Sequence, residues 1–269
     1  MTTTTTRPAG AIAWIDLGSH DIAGSRAFYG DLFGWTFEDQ GAEYGNYHLI
    51  HAGEALIGGL MSTVGMTCPE GGQVTTEWGV YLTTPDIAAT LAQVPQAGGD
   101  VVMEAMPVGD RGQMAAIHDA GGAFVGLWQP GSVDGIDLPT TPGTPVWFEV
   151  MSTDFDAALP FYRDVLGWDV HWSAGSPDGG NEHGWRYVTH GAEDGALAGL
   201  CDAKGVVAEG TTAYWRIYLG TADIAQDLDR IPDLGGEILD GPVDSPFGRL
   251  ATIRDPQGAT FQLIQTPSA

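Results

Sequence analysis

Phe28-Tyr29-Gly30-Asp31-Leu32-Phe33-Gly34-Trp35 and Phe161-Tyr162-Arg163-Asp164-Val165-Leu166-Gly167-Trp168 are one motif written twice, 133 positions apart. Working outward, Trp14 and Asp16 recur at the same offset as Trp147 and Glu149. Trp78, Tyr81, Asp86 and Gly98-Gly99 recur 137 positions on as Trp215, Tyr218, Asp223 and Gly235-Gly236. A repeat of this length is a whole domain rather than a solenoid unit, so any pocket is built twice and is free to diverge.

Within each copy the pattern runs strand, helix, three short strands, and then the same again. Ala11–Gly18 alternates as a strand, and Asp21–Phe33 reads as a helix with an acidic first turn. Shorter β-like runs follow at Trp35–Glu38, Tyr47–His51 and Ala55–Met61. Beyond the Gly/Pro-rich loop Cys68–Gln73 the order restarts with strand Thr76–Leu82 and helix Pro85–Gln96. That helix carries proline in its first turn and stops at Gly98-Gly99. Asp100–Val108, Met114–His118 and Ala123–Gln129 complete the copy, with a tight turn at Asp119-Ala120-Gly121-Gly122. The second copy gives strand Val146–Met151, helix Phe155–Leu166, strand Tyr214–Leu219 and helix Asp223–Ile231, with strands ending at Gln265. The expected organisation is therefore a disordered leader at 1–10, domains at 11–130 and 146–266, and a Gly/Pro/Thr/Asp-rich linker at 131–145.

The chain has 269 residues, 43% of them apolar, enough for two substantial cores. Ten Lys and Arg stand against 35 Asp and Glu, with Lys204 the sole lysine, so the surface is strongly negative. That disfavours nucleic acid and anionic membranes as partners. Met1–Pro8 lacks the apolar run of a secretory signal and no stretch approaches a membrane span, which points to a cytoplasmic protein. Cys68 and Cys201 have neither disulfide-framework nor zinc spacing and read as structural thiols.

The four βαβββ units, the two Phe-Tyr/Gly-Trp motifs and the strand pairs Arg111–Gln129 and Phe247–Gln265 resemble the vicinal oxygen chelate superfamily, which includes glyoxalase I, bleomycin-resistance proteins and extradiol dioxygenases. The resemblance covers about Ala11 to Gln265 and points to its tandem two-domain group. It implies an α+β fold of two tandem domains, each of two βαβββ modules forming a half-open cup, with the chain a monomeric pseudo-dimer whose further self-association stays open. In that family His, Glu and Gln on the cup face hold a metal. The corresponding positions here are Trp14, Gly59, Gly79 and Gly126 in the first copy, and Trp147, Gly199, Arg216 and Gln262 in the second. Indole and glycine bind no cation, arginine repels one, and a single amide is far short of a ligand set. The expectation is thus no metal and no cofactor.

Strand alternation sends Ile15, Leu17, Phe148 and Val150 to the helix layer and Trp14, Asp16, Trp147 and Glu149 to the cup. Asp16 and Glu149 are the candidate catalytic residues, since a carboxylate in an aromatic cup is suited to general-base work. The alternative is a solvated or arginine-paired place at the rim. Arg216 either holds an anionic group or pairs with Glu149. Trp14, Tyr81, Trp128, Trp147, Tyr214 and Tyr218, with Arg216 and Gln262, form the candidate ligand-binding wall, suited to a planar hydrophobic or aromatic ligand. Trp78 and Trp215 belong under the helices. His20, His171, His183 and His190 fall at loop-like positions, His48 and His51 on opposite strand faces, and His118 beside a turn. A displaced metal set drawn from Asp16, Glu43, His48 and His51 is a further option. Gly121-Gly122 and Gly179-Gly180 read as turns.

Three functions follow from these readings. The favoured one is metal-independent binding of a planar hydrophobic metabolite or antibiotic, chiefly by the second copy. The alternatives are an enzyme (lyase, isomerase, hydroxylase or dioxygenase) using Glu149 acid–base chemistry or a displaced divalent metal, and an interaction module whose cups are filled by side chains.

Overall fold

The computed structural model describes residues 7–67, 71, 73–173, 186–192 and 195–265. Residues 1–6, Cys68, the Gly179-Gly180 turn and His183 lie outside the described residues.

The first copy forms β1 (Ile12–Ser19), α1 (Ile22–Phe33), β2 (Thr36–Asp39), β3 (His48–Ala52) and β4 (Ala55–Ser62), then β5 (Glu77–Thr83), α2 (Ile87–Gln93), β6 (Asp100–Pro107), β7 (Gly112–His118) and β8 (Phe124–Pro130). The second forms β9 (Pro145–Ser152), α3 (Phe155–Asp164), β10 (Val170–Trp172), β11 (Tyr187–His190) and β12 (Ala198–Asp202), then β13 (Tyr214–Gly220), α4 (Ile224–Arg230), β14 (Glu237–Ser245), β15 (Gly248–Arg254) and β16 (Thr260–Gln265). Two eight-stranded sheets result, ordered β2-β3-β4-β1-β5-β8-β7-β6 and β10-β11-β12-β9-β13-β16-β15-β14. Each order is the other shifted by eight strands, which is the expected α+β fold of two tandem domains of paired βαβββ modules. The crossovers β1/β4, β5/β8, β9/β12 and β13/β16 are parallel, and the hairpin pairs are antiparallel.

Among the described residues the four α-helices start alike. Asp21, Asp86, Asp154 and Asp223 are N-caps whose carboxylates accept from the backbone N–H of Gly24, Ala89, Ala157 and Gln226, satisfying donors that the helix itself leaves open. Two expectations change here. Asp21 caps α1 rather than sitting in its first turn, and Pro85 lies outside α2, before the Asp86 cap. Helix α2 also stops at Gln93, because residues 95–97 tighten into a 3₁₀ turn that ends at Gly98 with φ +88°, a conformation that glycine adopts without a Cβ penalty.

By backbone contacts the chain falls into two compact units that divide it differently from the sequence repeat. One comprises the chain up to Trp14, Val80–Gly135 and Phe148–Trp215; the other comprises Ile15–Gly79, Ile136–Trp147 and the chain from Arg216 onward. In the second of these, Tyr29 is fully buried and its hydroxyl donates to Asp255 Oδ2 at 3.0 Å while accepting from Trp78 Nε1 at 3.1 Å. Asp255 in turn accepts from the N–H groups of Gln257 and Ala259, closing the β15–β16 turn. In the other unit the same lock joins the Tyr162 hydroxyl to Asp119 Oδ2 at 2.9 Å, with Asp119 accepting from Gly121 and Ala123. Trp78 and Trp215 are buried beside these tyrosines, as expected of core residues. Burial pushes both tyrosines well above the usual phenol range, and the neighbouring carboxylate adds to it, so each remains a hydrogen-bond donor.

The linker is built into the fold. Ile136 is fully buried, and Asp137 N–H donates to Leu56 O at 2.7 Å while its carboxylate receives Leu56 N–H. Two histidines expected in loops are strand residues. His171 lies in β10, 3.0 Å from Asp169, and His190 ends β11, stacked on Trp168 with centroids 5.4 Å apart. Burial lowers the His190 pKa. Among the described residues no helix is long and apolar enough to cross a membrane.

Candidate functional site

On β1, Ile15 and Leu17 are fully buried while Trp14 is half-buried and Asp16 only 8% exposed. On β9, Phe148 and Val150 are fully buried, Trp147 is half-buried and Glu149 is again 8% exposed. The alternation expected for both strands holds, but neither acid sits solvated at a rim.

Asp16 has a partner that sequence reading missed. Tyr47, just before β3, donates its hydroxyl in a short hydrogen bond to Asp16 Oδ1. Gly59 makes the contact possible. It lies opposite Asp16 in the β1/β4 register, and a Cβ there would collide with the Tyr47 hydroxyl and come within 2.7 Å of Asp16 Oδ1.

The second copy repeats the arrangement with a longer acid. Gly199 lies opposite Glu149 in the β9/β12 register, and a Cβ on Gly199 would collide with the Tyr187 hydroxyl. Tyr187 is the counterpart of Tyr47, since Leu49 faces Gly59 and Thr189 faces Gly199, each two residues after its tyrosine. The signal was present in the sequence, because Tyr47/Tyr187 and Gly59/Gly199 share one offset of 140 positions. Tyr187 packs with Met151, Cys201, Ala203, Val207 and Tyr214, which makes Cys201 a buried member of an apolar cluster.

The remaining candidates sit on the other half of each sheet, where the copies have diverged. In the first, Tyr81 faces Gly126 in register and its ring covers the space that a Gly126 side chain would take. Tyr81 packs with Trp128, Ala13, Trp14, Val108, Met114 and Val133, and Trp128 donates Nε1–H to Val133 O at 3.0 Å. In the second, Tyr218 faces Gln262, which is 2% exposed and shares hydrogen bonds of 3.0–3.1 Å with Thr252 across the β15/β16 pair. Gln262 and Thr252 stand where the first copy has Gly126 and Ala116. Tyr214 and Arg216 are half-buried and alternate onto the face of Tyr218. Glu149 lies on β9 and Arg216 on β13.

These residues do not fit the metal that the fold family implies. Tyrosine side chains fill the space above Gly59, Gly126 and Gly199, Gln262 is held by Thr252, and the first-strand positions carry indoles. The alternative set of Asp16, Glu43, His48 and His51 does not converge either. Among the described residues no three His, Cys, Asp or Glu side chains come together as a metal-holding group.

Residues 144–263 match the family described as the Glyoxalase/Bleomycin resistance protein/Dioxygenase superfamily. The anthracycline biosynthesis protein DauV of Streptomyces sp. (strain C5) is 33% identical, over 97% of this chain and 94% of that protein. CFP32 of Mycobacterium tuberculosis, named as a candidate glyoxylase, is 31% identical over 94% of this chain and 93% of its own. Among solved structures, the Mn(II)-bound glyoxalase from Novosphingobium aromaticivorans superposes with a TM-score of 0.62 at 15% identity, covering 96% of this chain and 82% of that one. The chain belongs to the glyoxalase/bleomycin resistance protein/dioxygenase superfamily, and its likeness to solved structures is one of fold.

Proposed function

We propose that the protein binds a planar, largely apolar small molecule through its aromatic strand faces, without a metal ion, and that the second copy is the principal binding copy. The observation that carries this reading is the divergence of the two copies. Where Tyr81 covers Gly126, the second copy sets Gln262, buried and hydrogen-bonded to the half-buried Thr252, opposite Tyr218, so the strand face there combines aromatic and polar groups. The relative named for anthracycline biosynthesis is in keeping with a small-molecule role. The test is quenching of tryptophan fluorescence by fused-ring aromatics, with and without prior treatment with a chelator. Saturable quenching that chelation leaves unchanged is expected, and its loss in Tyr218→Ala but not in Tyr81→Ala places the site in the second copy.

A second reading is favoured by one observation, the Tyr47–Asp16 hydrogen bond, whose residue types recur in the second copy with Tyr187 over Gly199 and Gly199 opposite Glu149 in register. A buried acid joined to a phenol is a proton-handling group, and the name of CFP32 points towards catalysis. Under this reading Glu149→Gln abolishes turnover while retaining affinity; under the binding reading affinity is retained and there is no turnover to lose.

A further inference from the structure

We propose that the first copy carries a second binding site, in which Arg26 and the groove between α1 and β2 take a small aromatic carboxylate. It shares no residue with the strand faces of the binding reading above, so the two stand or fall separately.

The groove has a volume of about 560 Å³ and is lined by Ala23, Arg26, Ala27, Trp35, Thr36 and Phe37, a size that suits a small molecule. Its form follows from the local sequence. Phe28, Tyr29 and Leu32 turn one face of α1 into the core, which leaves Ala23, Arg26 and Ala27 exposed on another. Gly34, with φ +73°, ends the helix in the left-handed conformation and lets the chain return as β2. Phe37 faces Ile50 in the β2/β3 register, so it stands on the same side of the sheet as that buried core residue. Two alanine methyl groups thus leave an opening between helix and strand, walled by a half-buried phenyl ring and edged by a guanidinium group.

Charge selects the ligand. With 35 Asp and Glu for ten Lys and Arg, a guanidinium group here readily finds a carboxylate: Arg163, Arg230 and Arg254 lie 2.7, 3.1 and 2.8 Å from Asp164, Asp227 and Glu237. Arg26 has no such partner among the described residues. The positions one helical turn away explain why, since Ile22, Ala23, Tyr29 and Gly30 carry no acid. Its guanidinium lies instead over the Phe37 ring, 5.8 Å from the centroid, which leaves its in-plane N–H donors for an anion. A carboxylate accepts two of those donors, and a flat apolar body behind it covers Phe37 and the alanine methyl groups. The second copy lacks the set, because 133 positions on Ala23, Arg26 and Phe37 become Asp156, Leu159 and Val170, and Asp156 is paired with Arg186.

The test is calorimetric titration of the full chain with 2-naphthoate and with its neutral isostere 2-naphthamide, at neutral pH and about 0.15 M salt, where acids more than about 8 Å away are largely screened. We expect 2-naphthoate to bind about fivefold more tightly than 2-naphthamide, the upper end of what an exposed ion pair supplies. Arg26→Gln should abolish that preference while leaving the affinity for 2-naphthamide unchanged. Ala27→Phe keeps the charge but fills the groove, and should weaken both probes. Both positions are exposed, so neither substitution disturbs the core, and an unchanged Tm checks this. Equal affinity for the two probes in the unmodified protein, or a failure of both to bind, overturns the proposal. A preference that survives Arg26→Gln, or binding that Ala27→Phe leaves intact, places the anion elsewhere and overturns it as well.

Discussion

Replacing Tyr29 by Phe deletes a single oxygen from the core, and the structure sets what that oxygen is worth. Two contacts disappear together. Trp78 Nε1 loses its acceptor at 3.1 Å and Asp255 Oδ2 loses its donor at 3.0 Å, both in buried surroundings. A stranded buried donor costs about 1–3 kcal/mol, and a hydrogen bond to a charged acceptor contributes about 1.5–3 kcal/mol. Asp255 keeps the N–H groups of Gln257 and Ala259, so its share falls at the low end. A total of about 3 kcal/mol follows, or a fall in Tm of about 6–12 °C for a chain of this size. Thermal and urea unfolding followed by tryptophan fluorescence measure it. A double-mutant cycle with Asp255→Asn then isolates the Tyr29–Asp255 term, which should exceed about 1 kcal/mol. A loss below about 0.5 kcal/mol for Tyr29→Phe, or a cycle that is additive, would refute the reasoning.

The same lock gives a pH dependence. Burial raises the pKa of Asp119 and of Asp255 above the ordinary carboxylate value, against the lowering effect of their hydrogen bonds. A raised folded pKa contributes stability that is fully present below the unfolded pKa and is lost as pH rises through the folded one. Unfolding titrations from about pH 4 to about pH 7 should therefore show wild type losing ground to Asp255→Asn as pH rises; a gap moving the other way contradicts the assignment. Gly59→Ala should destabilise the protein and break the Tyr47–Asp16 contact, since the new methyl group meets the tyrosine hydroxyl and the ring carbon that bears it; the same substitution should cost less in a Tyr47→Ala background, and an equal cost there argues against the steric account. Asp154→Ala removes the α3 cap and should cost about 1 kcal/mol, read from the shift in urea midpoint. Elemental mass spectrometry after incubation with iron, nickel, zinc and manganese and then desalting should find no stoichiometric metal, and one tightly held equivalent would overturn the ligand analysis.

Much of the fold was legible because it is written twice. The Phe-Tyr pairs lie within helices α1 and α3 and the Gly-Trp pairs follow their ends, and strand parity separated Ile15 and Leu17 from Trp14 and Asp16 without any tertiary information. What stayed hidden is non-local. Tyr47 and Asp16 are linked through the register of a third strand, β4, and only the glycine at position 59 betrays it. The choice of Asp255 rather than Asp119 as the partner of Tyr29 could not be read at all, because both turns offer the same acceptor and the repeat is symmetric about the choice. His171 and His190 were misplaced because β10 and β11 are only 3 and 4 residues long, too short for alternation to emerge.

The most direct test of the account is a calorimetric titration of 2-naphthol into chelator-treated protein, repeated after adding back manganese or iron. The account predicts saturable binding to the metal-stripped chain with an affinity that added metal leaves unchanged. Binding that appears only once metal is restored would contradict it.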